Sequence, residues 1–361
     1  MLREPIPRPM VIKPFSNLAI RTPLDRHKHS SHAACSGTRI TPRTEIAPFV
    51  TDVWRPMQPV THGDYLRFLT STASVRIGGT QIKLRGKCEG CLDGPVSGYV
   101  SEQSTIWAFP SRGAWATHKG DYPGNWSPYV PRNLIERFTT GGELVLDPMM
   151  GSGTTLVECK LLGRNALGVD INHDAVMLAH DRLNFESAGH PLGGIRLFWG
   201  DARKLNEVGS CSVDLIATHP PYANIINYGG TRFGGDLSNL ASISDYLDGM
   251  RGIATECLRV LKDGRHCAIL IGDTRIHGHY VPISHMVMTQ FLAAGFVLKE
   301  EIIKVQHNTT SGRGRWNQPV HGFYKIAHEH LFVFRKPRGP EERKTLSLSS
   351  GMMEPHGTHN L

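Results

Sequence analysis

The chain has 361 residues, 40% of them hydrophobic, and 40 Lys and Arg against 32 Asp and Glu give a formal charge of +8. That apolar fraction excludes a wholly disordered chain, and the length allows two domains or one large one. No run approaches the roughly 18–20 apolar residues of a membrane span, the N-terminus lacks the apolar stretch of a signal peptide, and seven irregularly spaced cysteines do not make a disulfide scaffold, so a cytoplasmic protein with reduced thiols is expected.

In chain order, residues 1–50 hold seven of the 23 prolines and eight basic residues against three acidic ones. Such a segment buries too little apolar surface to offset its ordering entropy, and a disordered basic arm is expected. Residues 51–118, with runs such as SVRIGG and STIWAFP, read as a small strand-rich extension. The pattern then sharpens over 119–336. Strands are expected at 143–147, 165–171, 194–201, 213–219, 266–273, 296–305 and 330–336. Helices are expected at 154–162, 173–185, 243–261 and 282–294. This alternation predicts an α/β fold, a doubly wound, mostly parallel Rossmann-like sheet, with its last two strands antiparallel at one edge. Residues 337–361 read as a flexible tail.

The stretch VLDPMMGSGTTLVECKLLGRNALGVDIN (145–172) carries the most information. Ligands of open α/β sheets bind beyond the carboxyl ends of the strands. Gly151 and Gly153 follow the first strand and allow a tight turn and close backbone approach. Thr154 and Thr155 are candidate caps for the next helix. Asp170, with Asn172 just beyond it, ends the second strand 23 residues after Asp147. That is near the ~20-residue offset at which an acid reaches ribose hydroxyls. The third glycine of a dinucleotide fingerprint is missing, since Leu156 stands there. Asp147 beside the loop would repel a pyrophosphate and suits a cation. S-adenosylmethionine, with a sulfonium, an ammonium and a ribose but no phosphate, fits this pattern.

DPMMGSGTT followed by GRNALGVDIN resembles the cofactor motif of the N-4/N-6 amino-methylating DNA methyltransferases. The resemblance implies that Asp147, Pro148 and the Gly151–Gly153–Thr154 turn hold the methionine part of the cofactor. It places Asp170 at the ribose and Asp201 near the adenine, with Asn172 among the cofactor-binding residues. Trp126 and Pro128, in GNWSPYVPRNLI, resemble the segment that packs on the cofactor.

The second motif is ATHPPYANIINYG (217–229). An exocyclic amine on a base is a poor nucleophile, because its lone pair is delocalised into the ring. Acceptors aimed at its N–H groups free that lone pair, and preorganised dipoles of this kind are a large catalytic term. In the family this site is an acceptor residue, two prolines and an aromatic residue. Here these are His219, Pro220, Pro221 and Tyr222, with Tyr222 expected to stack on a flipped-out base. The family mostly carries Asp, Asn or Ser where His219 stands. An imidazole accepts only when unprotonated, so activity is expected to fall below about pH 6.5. No Pro-Cys motif occupies this position, which argues against methylation of cytosine C5.

The acid-free stretch 306–327 carries Arg313, Arg315, Trp316 and Lys325, a mixture suited to phosphate contacts and base stacking. Together these features predict an S-adenosylmethionine-dependent methyltransferase of double-stranded DNA, cytosine N4 ahead of adenine N6, for which a cognate restriction enzyme is one candidate partner. The alternatives are an RNA amino-methyltransferase and a non-catalytic nucleic-acid-binding relative. The Cys88–Cys91 pair is a lone CxxC, and no metal site is expected. Cys159, Cys211, Cys257 and Cys267 are expected in the core.

Overall fold

The computed structural model describes residues 56–89, 94, 99–186, 192–221, 236–240, 242–307 and 322–351. The expected basic arm lies outside them. The elements begin with β1 (Gln58–Val60), α1 (His62–Leu69), β2 (Ser74–Ile77), β3 (Thr80–Lys83), β4 (Ile106–Ala108) and α2 (Tyr129–Phe138). Next come β5 (Leu144–Asp147), α3 (Thr154–Leu161), β6 (Asn165–Asp170), α4 (His173–Leu183), β7 (Ile195–Trp199) and β8 (Val213–Thr218). The chain continues through α5 (Ile243–Val260), β9 (Leu261–Ile271), β10 (Thr274–Ile276), β11 (His279–Val281), α6 (Ile283–Ala294), β12 (Val297–Val305), β13 (His328–Arg335) and α7 (Pro340–Thr345).

Nine strands form one sheet in the order β1-β7-β6-β5-β8-β9-β13-β12-β4. The run from β7 through β9 is parallel throughout. Chain order reverses at β5, with β6 on one side and β8 on the other, which makes a switch point between the carboxyl ends of β5 and β8. Strands β5, β6 and β8 are buried on both faces, as parallel strands covered by helices must be. Alternate residues feed two cores. Leu146 joins Tyr246, Met250 and Phe291 on the α5–α6 face. Val145 joins Leu134, Leu156 and Val176 on the other.

The expected doubly wound architecture is present, and β12 and β13 pair antiparallel as foreseen. They are not the sheet's edge, however, because β4 adds a parallel strand beyond β12. At the far side β1 pairs antiparallel with β7. The strand-rich extension thus contributes to both margins of the central sheet, while its β2–β3 hairpin packs Val75 and Ile77 with Ala175 and Leu178 of α4. Residues 340–350, expected as part of a tail, form α7 and a following 3-10 turn, and an Arg335–Glu342 ion pair ties α7 to β13. Cys159, Cys257 and Cys267 are buried as expected, but Cys211 is exposed. It sits in the turn before β8 at φ 51°. Cys88 is disulfide-bonded rather than a thiol. No described helix is long and apolar enough to cross a membrane.

Candidate active site

The glycine turn after β5 folds as its sequence demands. Gly151 and Gly153 both take positive φ, 50° and 79°, which a side chain would strain. Gly153 is the N-cap of α3 and no side chain caps the helix, so neither Thr154 nor Thr155 has the capping role expected of it. Thr155 lies inside the helix, and its hydroxyl donates to Asp147 Oδ2 at 2.5 Å. Asp147 Oδ1 accepts from Thr218 Oγ1 at 2.7 Å and from the Met149 N–H at 3.2 Å. One buried carboxylate therefore joins β5, α3 and β8 at the switch point. Asp170 does the same for the next strand. It accepts from the Gly151 N–H and the Asn172 N–H, each at 2.8 Å.

These groups line a cleft of about 830 Å³, counting its open mouth. Trp126, Asp147, Pro148, Gly151, Thr154, Asp170, Asn172 and Asp201 all face it, whereas Pro128 and Gly153 shape its walls without lining it. His219 and Pro221 line it too, and Pro220 does not. Tyr222 lies outside the described residues. Among those described, four aspartates line the cleft and no Lys or Arg does. Asp201 is the most neutralised, since Arg203 grips its carboxylate through Nε and Nη2 at 3.0 and 2.6 Å. Burial pushes Asp147 up to about 6, against the pull of Thr155, Thr218 and Met149. Burial likewise pushes Asp170 up to about 7, with the charges of Asp236 and Asp147 adding to the rise. A cation entering this cleft returns both acids to carboxylates.

His219 extends the cleft beyond β8. Its ring stacks on the Trp126 indole, centroids 5.7 Å apart and 23° between planes. Burial holds its pKa down to about 4, with Lys304 adding to the fall and Glu329 opposing it. The expected loss of activity near pH 6.5 therefore moves to lower pH. Tyr246 of α5 donates its hydroxyl to the Pro221 carbonyl at 3.0 Å and fixes the second proline.

Sequence reasoning missed Asp236, Tyr122 and Tyr246. Asp236 lines the cleft from the stretch before α5, and its Oδ1 accepts from Ser238 N and Oγ at 2.8 and 2.7 Å. The Asp-Leu-Ser capping pattern is the signal that marks it. Tyr122 lies across the loop, 3.1 Å from where a Cβ on Gly151 would stand. The upstream segment also holds a buried network. Glu158 of α3 accepts from Trp115 Nε1 at 2.7 Å and from Arg132 Nη1 at 2.9 Å, and lies 2.6 Å from His118 Nε2. Of the expected nucleic-acid contacts, Arg313, Arg315 and Trp316 lie outside the described residues. Lys325 is exposed beside Tyr324, which is 93% exposed.

Comparison with known proteins bears on this site. The profile of the DNA methylase family matches residues 15–181 and 213–351, and that of an RMKL-like methyltransferase domain matches 138–232. The chain is 31% identical over 86 residues to the type II methyltransferase M.HpaI of Haemophilus parainfluenzae, covering 24% of this chain and 27% of that one. It is 35% identical over 104 residues to a tRNA (guanine(10)-N2)-dimethyltransferase of Methanothermobacter thermautotrophicus, covering 28% and 29%. Such matches span three tenths or less of the length of these curated relatives. A TehB-like SAM-dependent methyltransferase structure from Corynebacterium glutamicum is similar at 17% identity and a TM-score of 0.35, over 57% of this chain and 86% of that one. The family profile spans both the glycine turn after β5 and the His-Pro-Pro turn after β8, and on that match the chain belongs to the DNA methylase family.

Proposed function

We propose that the chain methylates an exocyclic amine of a base swung out of double-stranded DNA, cytosine N4 ahead of adenine N6. The observation that carries this reading is one cleft holding both an acid-lined pocket and a neutral, stacked His219. The pocket fits S-adenosylmethionine, the family's cofactor. Its acids suit a sulfonium and an ammonium, and no basic side chain among the described residues lines it to attract a phosphate. Asp147 and the Gly151–Thr154 turn would hold the amino-acid end, Asp170 the ribose, and Asp201 and Asn172 the base.

When bound, S-adenosylmethionine supplies an activated methyl group. His219 accepts a hydrogen bond from the target amine and returns lone-pair density to its nitrogen. The Pro220 carbonyl is the second acceptor, and Tyr246 keeps the adjoining Pro221 carbonyl in place. An imidazole held near 4 is a weak base, so His219 orients the amine and the surplus proton leaves to water. Trp126 stacks on His219, and Tyr222 would stack on the swung-out base. Holding amine and methyl in line converts a bimolecular step into an intramolecular one. Arg313, Arg315, Trp316 and Lys325 contact the DNA backbone and bases. The type II relative supports a paired restriction enzyme as partner.

The test uses tritium-labelled methyl donor with unmethylated duplex DNA and, separately, bulk RNA, followed by mass spectrometry of the released nucleosides. N4-methylcytosine in DNA is expected. Label in RNA alone overturns the reading, and N6-methyladenine in DNA overturns only the base assignment.

A further inference from the structure

A second cluster of chemistry-bearing side chains stands one strand away from the cleft. Asp273 follows β9, His285 lies in the first turn of α6, and His330 is on β13. One ligand-competent atom from each lies within 4.8 Å of the others. None of the three lines the cleft.

Glu301 of β12 sits behind both imidazoles. Its Oε1 is 2.8 Å from His330 Nδ1 and 3.7 Å from His285 Nε2. A carboxylate there attracts the ring protons of those two nitrogens, and the opposite ones are His330 Nε2 and His285 Nδ1. Both turn toward Asp273. His330 Nε2 lies 3.3 Å from Asp273 Oδ2, and His285 Nδ1 lies 3.1 Å from Ser284 Oγ, itself 2.9 Å from the same Oδ2. The His330 side chain is only 8% exposed, and its Nε2 is buried with no hydrogen-bond partner. Two carboxylates flank this buried imidazole, a place that calls for positive charge.

We propose that Asp273, His285 and His330 bind a divalent zinc-class cation, with Glu301 as the outer carboxylate behind the histidines. Two imidazoles and one carboxylate, with a fourth position open, make a familiar zinc donor set. Ligand atoms about 2.0–2.2 Å from zinc at tetrahedral angles stand near 3.3–3.5 Å apart, which the Asp273–His330 edge already meets at 3.3 Å. His285, 44% exposed at the rim, is the ligand that closes inward. The carboxylate–histidine–metal arrangement is the usual outer support of such sites. Tyr280 of β11 also donates to Asp273 Oδ2, so the cation pins the root of the β10–β11 hairpin to α6 and β13. The site stands apart from the cleft.

The experiment titrates the full-length, chelator-treated protein with Zn²⁺ against a chromophoric competitor, and with Co²⁺ by visible absorption. One tight Zn²⁺ site per chain is expected, with the d–d bands of tetrahedral Co²⁺ and a melting temperature raised by Zn²⁺. His285→Ala removes a side chain that is 44% exposed and is expected to weaken that site at least tenfold. His330→Gln is expected to remove it, and Glu301→Gln to weaken it about 10–100-fold, as loss of an outer partner does. Zn²⁺ bound equally well by wild type and His285→Ala, or no tight site in wild type, overturns the proposal. Both results are independent of whether the chain methylates DNA.

Discussion

The Trp126 indole and the His219 imidazole lie face to face, 5.7 Å apart, although 93 residues separate them in the chain. Trp126 precedes α2 and His219 follows β8, and the stack closes one wall of the cleft at the switch point. His219→Ala is expected to lower kcat by about 10²–10³, the scale of one lost preorganised hydrogen-bonding group, while the Kd for S-adenosylmethionine changes little. His219→Phe keeps the stack and loses the acceptor, so it should be as slow as the alanine variant. A phenylalanine variant with wild-type turnover would show that packing alone is what His219 provides.

The pH profile separates this histidine from an ordinary one. Burial favours the neutral ring, and protonation sets in only near pH 4. Turnover at saturating cofactor should therefore stay level from pH 8 to about pH 5.5 as far as His219 is concerned. A decline centred near 6.5, the ordinary histidine value, would mean the ring is solvated in the working enzyme.

Cofactor affinity should follow the two acids instead. In the ligand-free chain Asp147 and Asp170 hold protons up to about pH 6 and 7. Their raised values favour the folded state at low pH, a contribution complete below about 4 and lost as pH rises through those values. A bound cation lowers both, so protons are released on binding and Kd rises as pH falls from 8 to 6. Calorimetry at pH 6.5 in two buffers of different ionisation heat measures that release, and proton uptake would contradict it. Asp170→Ala should raise Kd about ten- to a hundred-fold, equivalent to the roughly 1.5–3 kcal/mol of a charged hydrogen bond.

Glu158 is fully buried and holds Trp115, His118 and Arg132 together. Glu158→Ala removes the buried one of two carboxylates on the Arg132 guanidinium, which is only 13% exposed, and leaves it the half-buried Glu136. Breaking one partner of a buried pair costs about 3–5 kcal/mol, which urea denaturation would register as a lower midpoint. Glu158→Gln keeps an acceptor for the indole and should lose less. Equal stability of both variants with wild type would contradict the assigned burial of the charge.

The core of this fold was legible because its signals are local. The apolar run before Asp147, the glycine turn and the next strand to Asp170 each obey one short-range rule, and the structure places them within a residue or two of expectation. The sheet margins were not legible. β1 and β4 have three residues each, too few to show a period, and their partners β7 and β12 lie far along the chain. The Thr154 and Thr155 caps failed for a different reason: a left-handed glycine began the helix, freeing Thr155 to serve Asp147. Asp236 was missed because nothing in the sequence says which way a long stretch between strand and helix folds back. Glu158 reads as one more polar residue on a short helix until Trp115, His118 and Arg132 converge on it.

The brevity of β1 and β4 has a bearing on self-association. A long bare margin is a template on which another chain can add a strand. Here each margin offers only three residues, and β1 spends one of them on Pro59, which has no N–H to donate. Cutting the chain after residue 60 would expose the five-residue β7, and light scattering of that shortened protein should report larger species than the full chain gives.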